Sequence, residues 1–154
     1  MREGIRLGID VGTVRIGVSR SDRYGFLASP FETVKRADDG SDVARIVELT
    51  RDQEAIELVV GLPLALSGRH TASTDDAVHF AERVAAAVTV PVLLVDERLS
   101  TVTATHALRA AGKNSKKSRS VVDQSAAAVL LQHALDAERS SGRPAGNPIR
   151  PASA

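Results

Sequence analysis

The chain is predicted to be an α/β protein with one mixed five-stranded sheet, three antiparallel strands followed by βαβ crossovers, and helices on both faces. Three observations predict it. Two strand-like runs meet at a glycine turn near the N-terminus, the apolar spacing then changes from period two to the helical period, and later apolar runs alternate with helical stripes.

Ile5–Asp10 reads as a buried strand, Val11-Gly12-Thr13 as a turn and Val14–Ser19 as the returning strand of a hairpin. Phe31–Arg36 adds a third strand starting after Pro30, where a missing N–H does least harm. After Asp38-Asp39-Gly40-Ser41, Val43, Ile46, Val47 and Thr50 follow helical spacing. Ile56–Gly61 is a short apolar strand, and Leu64–Thr74 reads as a loop. Ala77, Phe80, Ala81, Val84, Ala85 and Val88 then form the clearest helical stripe, broken at Pro91 before a strand over Val92–Val95. Ser100 caps an expected helix to Ala111, Lys113–Arg119 is a basic linker, and a last helix spans 120–138. His133, on this apolar helix, reads as a core histidine. The segment 139–154 holds three of the six prolines and no apolar period, so it is expected to be a disordered tail behind a single domain of residues 1–138.

Composition excludes several chemistries. With no cysteine, the chain has no disulfide, Cys-zinc site, iron–sulfur cluster or thiol nucleophile. Its four histidines form no HxxxH pair of the kind zinc hydrolases use. No apolar run is long enough to span a bilayer and the N-terminus enters a strand pattern directly, so a cytoplasmic location without membrane contact is expected. Charge is divided: residues 1–108 carry 12 Lys/Arg and 16 Asp/Glu, a net of −4, whereas 109–154 carry 8 and 3, a net of +5. That division suits a local anion-binding region; an incidental solvated loop is the plain alternative. With three Phe, one Tyr and no Trp, no exposed aromatics for base stacking are expected.

Right-handed crossovers make the strands ending at Asp10, Gly61 and Glu97 parallel neighbours, and open α/β sheets bind ligands at that edge. Asp10 and Glu97 each end an apolar strand, and Asp123 falls in the first turn of the last expected helix. Each acid has an ordinary alternative. Asp10 can cap its own turn, Glu97 can pair with Arg98, and Asp123 can close a capping box with Ser120. Together, three carboxylates suit one or two Mg²⁺ or Mn²⁺ ions, hard cations that take oxygen ligands. Two such ions about 4 Å apart clamp the attacking and leaving oxygens of a phosphodiester. Arg109, Lys113, Lys116, Lys117 and Arg119 lead into the helix of Asp123 with no acid among positions 109–119. With Arg15 and Arg98, the residues Lys113, Lys116, Lys117 and Arg119 are the candidate substrate contacts.

The motifs LGIDVGTVRIGVS (7–19), VVGLPLALSG (59–68), VDERLSTVTA (95–104) and KKSRSVVDQSAAAVLLQ (116–132) resemble, in order and spacing, the YqgF/RuvX family. The resemblance covers residues 5–138 and implies an RNase H-like fold. It also implies Mg²⁺- or Mn²⁺-dependent phosphodiester hydrolysis by water, with the acidic triad on Asp10, Glu97 and Asp123. Members are described as Holliday junction resolvases or pre-16S ribosomal RNA nucleases, so the implied partner is a ribosomal RNA precursor or branched DNA. Cutting two strands symmetrically would favour a homodimer. The chain departs from the family pattern at Ala65 and Ser67, where Asn and Asp are usual, and at Ser100 in place of Thr. Two other readings compete: a non-catalytic RNA-binding assembly factor on the same fold, and an actin-like phosphate-binding domain.

Overall fold

The computed structural model describes residues 1–96 and 115–149, with side chains of the last helix described from Gln124 onward. The expected helix over Ser100–Ala111 lies outside the described residues. Six strands form one sheet in the order β3-β2-β1-β4-β5-β6. The strands β1 (Arg6–Val11), β2 (Arg15–Ser21) and β3 (Ala28–Lys35) make an antiparallel meander. Strands β4 (Glu57–Leu62) and β5 (Val92–Asp96) follow parallel to β1, in register Leu7↔Leu58↔Val92. Helices α1 (Ser41–Asp52) and α2 (Ala72–Ala87) cover one face, and the long α3 (Ser115–Ser141) covers the other.

Period-two alternation sends side chains to two cores. Leu7, Ile9, Ile16, Val18, Leu58 and Val60 meet Ile46, Phe80, Ala81 and Val84 beneath α1 and α2. On the opposite face Val59 packs with Leu130, Leu131, Ala134 and Leu135 of α3. Small side chains let α3 lie close: Ala126 and Ala127 are buried, and a Cβ on Gly8 would fall 2.8 Å from the Ala127 carbonyl and from Leu131 Cβ. Ser19 Oγ donates to that same carbonyl at 2.7 Å.

Several expectations need correction. The sheet has a sixth strand, β6 (Asn147–Pro148), inside the segment expected to be disordered. Pro148 is tolerated because it sits at the sheet edge, and Ile149 N donates to Val92 O at 2.9 Å beyond it. The last helix starts at Ser115, so the expected basic linker is helical from there on. Helix α2 begins at Ala72, several residues before its apolar stripe. Thr71 and Thr74 form a capping box, and Thr74 Oγ1 also donates to Pro63 O. His133 is exposed, because the buried stripe of α3 runs through 127, 130, 131, 134 and 135.

Candidate nucleic-acid cleavage site at the sheet edge

Asp10 stands near the end of β1, half-buried, opposite Gly17 of β2. Its face follows from its neighbours at two-residue spacing. Arg6 reaches Glu138 of α3 at 3.3 Å, and Gly8 lies against Ala127, so 6, 8 and 10 share the α3 face. By the same alternation Arg15, Gly17 and Ser19 of β2 face α3.

Helix α3 runs antiparallel to β1. Glu138 lies beside Arg2 and Arg6 where the strand begins, Leu131 and Ala127 lie over Gly8, and Gln124 Nε2 donates to Thr33 Oγ1 at 2.7 Å. Asp123 is four residues before Ala127, a rise of about 6 Å along the axis. Asp10 is two residues beyond Gly8, about 7 Å along the strand. The backbones of residues 10 and 123 therefore reach the same level on the same face. Ser120 stands inside the helix instead of at its N-cap, so the capping box foreseen for Asp123 has no helix end to serve.

Asp96, the last residue of β5, is exposed and aligned with Leu62 of β4. It marks the same edge as Asp10. Glu97, Arg98 and Lys113 lie outside the described residues. Lys116, Lys117 and Arg119 are in the first two turns of α3, N-terminal to Asp123 and thus toward this edge. Among the described residues no three His, Cys, Asp or Glu side chains gather as a metal-binding group.

The turn after β1 is held from the other face by Arg36, a residue that no pattern in the sequence singles out. Its Nη1 donates to Gly12 O at 2.8 Å, and both Nη atoms donate to the Asp76 carboxylate of α2 at 2.8 and 2.9 Å. Its Nε lies 3.5 Å from the buried Asp42 of α1. The bidentate pairing with Arg36 holds the Asp76 carboxyl below the usual range and raises the guanidinium. The loop after β4 also reaches this edge. It is tied by Ala65 N to Arg69 O at 3.0 Å and by a Leu64–His70 bridge, and it exposes Arg69 and His70.

A family model described as "RuvX: Holliday junction resolvase" matches residues 4–137. A Leifsonia xyli subsp. xyli protein named "Putative pre-16S rRNA nuclease" is 64% identical over 151 residues, covering 98% of this chain and 97% of its own. A Clavibacter michiganensis subsp. michiganensis protein of the same name is 58% identical over 147 residues, covering 95% and 91%. The solved structure "T. thermophilus RuvC in complex with Holliday junction substrate" superposes with a TM-score of 0.59 at 20% identity, over 95% of this chain and 99% of that one. That likeness shows the fold, which is RNase H-like. With a family model matching nearly the whole of the described fold and relatives this similar from end to end, the chain belongs to the RuvX family.

Proposed function

We propose that the chain is a metal-dependent nuclease that hydrolyses phosphodiester bonds in structured nucleic acid, at the edge where β1, β4 and β5 end. The observation that carries this reading is the convergence of Asp10 with the start of α3, which bears Asp123, on one face of the sheet. The names of the relatives support ribosomal RNA precursor as substrate, and the family description supports branched DNA. A cytoplasmic location suits either. No helix among the described residues is long and apolar enough to cross a membrane.

The donor chemistry fits Mg²⁺ or Mn²⁺. A chain without cysteine offers carboxylate oxygens at this edge, which are the ligands hard cations take. Asp10, Glu97 and Asp123 would hold one or two ions. When bound, a divalent ion lowers the pKa of its water and neutralises charge developing on the phosphate. The chain's own residues supply position. The hairpin turn fixed by Arg36 holds Asp10 at its level, and Ala126 and Ala127 allow α3, the helix from which Asp123 would meet it, to lie close over β1. Arg15, Arg98, Lys113, Lys116, Lys117 and Arg119 would bind phosphates on either side of the scissile bond. A homodimer would place two such edges on the two strands of a junction.

The test is cleavage of a branched DNA and of a pre-16S ribosomal RNA fragment with Mg²⁺ or Mn²⁺, comparing the native protein with Asp10→Asn. A loss of about a hundredfold or more is expected, in the range for removing one key electrostatic group. Equal activity of the two proteins would overturn the reading, and binding without cleavage by the native protein would favour a non-catalytic assembly factor.

A further inference from the structure

Against expectation, two of the four aromatic side chains are exposed, and both lie on the turn between β2 and β3. Tyr24 is 56% and Phe26 65% exposed, with Leu27 at 62% and Met1 at 52% beside them. A chain this poor in aromatics gains nothing for its core by placing them in water. The turn is also tightly held. The Asp22 carboxylate accepts from the backbone N–H groups of Tyr24, Phe26 and Leu27 at 3.1, 2.7 and 2.8 Å, which lowers its pKa. Gln132 of α3 donates to Phe26 O at 2.9 Å, and Arg139 donates to Gly25 O at 2.6 Å while its guanidinium sits 5.1 Å from the Phe26 ring centroid. Gly4 N donates to Arg23 O at 2.7 Å. The turn itself, α3 and the N-terminal segment thus all hold the backbone that presents two rings to solvent.

We propose that this turn is a stacking platform for an unpaired stretch of the nucleic-acid substrate, which extends the proposed nuclease function and rests on it. Aromatic faces bind bases without regard to sequence, and a preorganised turn loses little freedom on binding. Two cations flank the rings and can turn to a phosphate. Arg23 and Arg139 form ion pairs with the exposed acids Glu3 at 3.8 Å and Asp136 at 2.8 Å, pairs that solvent screens and phosphate can displace. The platform lies at the opposite end of β2 from the Asp10–Gly17 pair, with Ser21 about 14 Å along the strand, so it contacts substrate remote from the cut. A duplex end or junction carrying a short single-stranded arm has the required shape.

The chain has one tyrosine and no tryptophan, so its intrinsic emission comes from Tyr24 alone. Titrating the full chain, as Asp10→Asn without added metal, with an oligouridylate should quench that emission, whereas a polyphosphate of equal charge should not. Phe26→Ser should weaken oligouridylate binding by tenfold or more, and Phe26→Trp should restore it. Asp10→Asn removes hydrolysis without touching the turn, so quenching that persists with no cleavage by the native protein would sink the nuclease and keep the platform. Emission that ignores the oligonucleotide, or Phe26→Ser binding as tightly as the native chain, overturns the platform. Emission that changes with protein concentration alone would also overturn it, in favour of a second copy seated on the turn.

Discussion

Glu54 is the one non-glycine residue among those described with a positive φ, at 51°, and its position explains why. Helix α1 ends in a reversal in which Ala55 N donates to Thr50 O at 3.0 Å and Glu54 N to Arg51 O at 3.1 Å, the paired bonds of a Schellman motif. The residue in the Glu54 place must be left-handed, a conformation that costs an L-residue about 1–2 kcal/mol. Glu54→Gly relieves that strain, and the added freedom of the unfolded chain takes back roughly 0.4–1 kcal/mol. A net gain of about 0.5–1 kcal/mol is expected, read as a higher urea midpoint at unchanged m-value. A lower midpoint would mean the Glu54 side chain contributes contacts worth more than its backbone strain. Arg36 teaches a related lesson about single residues. Asp76 lies 40 positions away, and no local pattern marks an arginine at a strand end as the clamp on Gly12.

At the scale of elements, what the sequence made legible follows from periodicity. Strands β1, β2, β4 and β5 and the stripes of α1 and α2 repeat at 2 or near 3.6 over enough residues to be read, and the crossover rule then assembled one sheet edge from them. The start of α3 was not legible because Ser115–Arg119 is polar throughout, and β6 was not because two residues cannot show a period. Its pairing depends on Gly146 at φ 80°, packed against Leu94 O. For the candidate site, the level of Asp10 could be inferred from strand order, but the bearing of α3 could not. That bearing depends on Gly8, where a Cβ would meet the backbone of α3. Gly8→Ala would push a methyl against the Ala127 carbonyl and Leu131, backbone and core that have little room to yield. Overpacking of this kind costs about 1–3 kcal/mol. If α3 shifts to relieve it, cleavage should fall at temperatures where the variant is still fully folded, by circular dichroism. Normal cleavage by a folded, destabilised Gly8→Ala would show that the site tolerates a displaced helix.

At the scale of the whole molecule, the two ends of the sheet have opposite characters. The end bearing Asp10 carries the proposed substrate site, and the other is closed by a partly buried ion cluster. Arg2 donates to Glu138 at 2.5 and 3.0 Å and to Glu57 at 2.9 Å, while the fully buried Arg6 lies 3.3 Å from Glu138. The cluster joins the N-terminal segment, β1, β4 and the end of α3, so it fixes the helix whose far end bears Asp123. The hydrogen bonds from Arg2 hold Glu138 below its ordinary value of 4.5, whereas burial raises Glu57. The signs differ accordingly. Glu138 contributes stability that is fully present above pH 4.5 and lost as pH falls through its lower folded value. Glu57 opposes it, since its contribution is present below 4.5 and is lost as pH rises through its raised value. Removing the charge with Glu138→Gln takes from the buried Arg6 the carboxylate it pairs with directly, and breaking a buried pair costs about 3–5 kcal/mol. In urea unfolding at neutral pH the variant should show that loss. As pH drops below the folded value of Glu138 the difference from the native protein should shrink, because protonation has by then neutralised the same carboxylate. A gap of equal size at both pH values would mean that Glu138 stabilises the fold by shape and hydrogen bonding, with its charge contributing nothing.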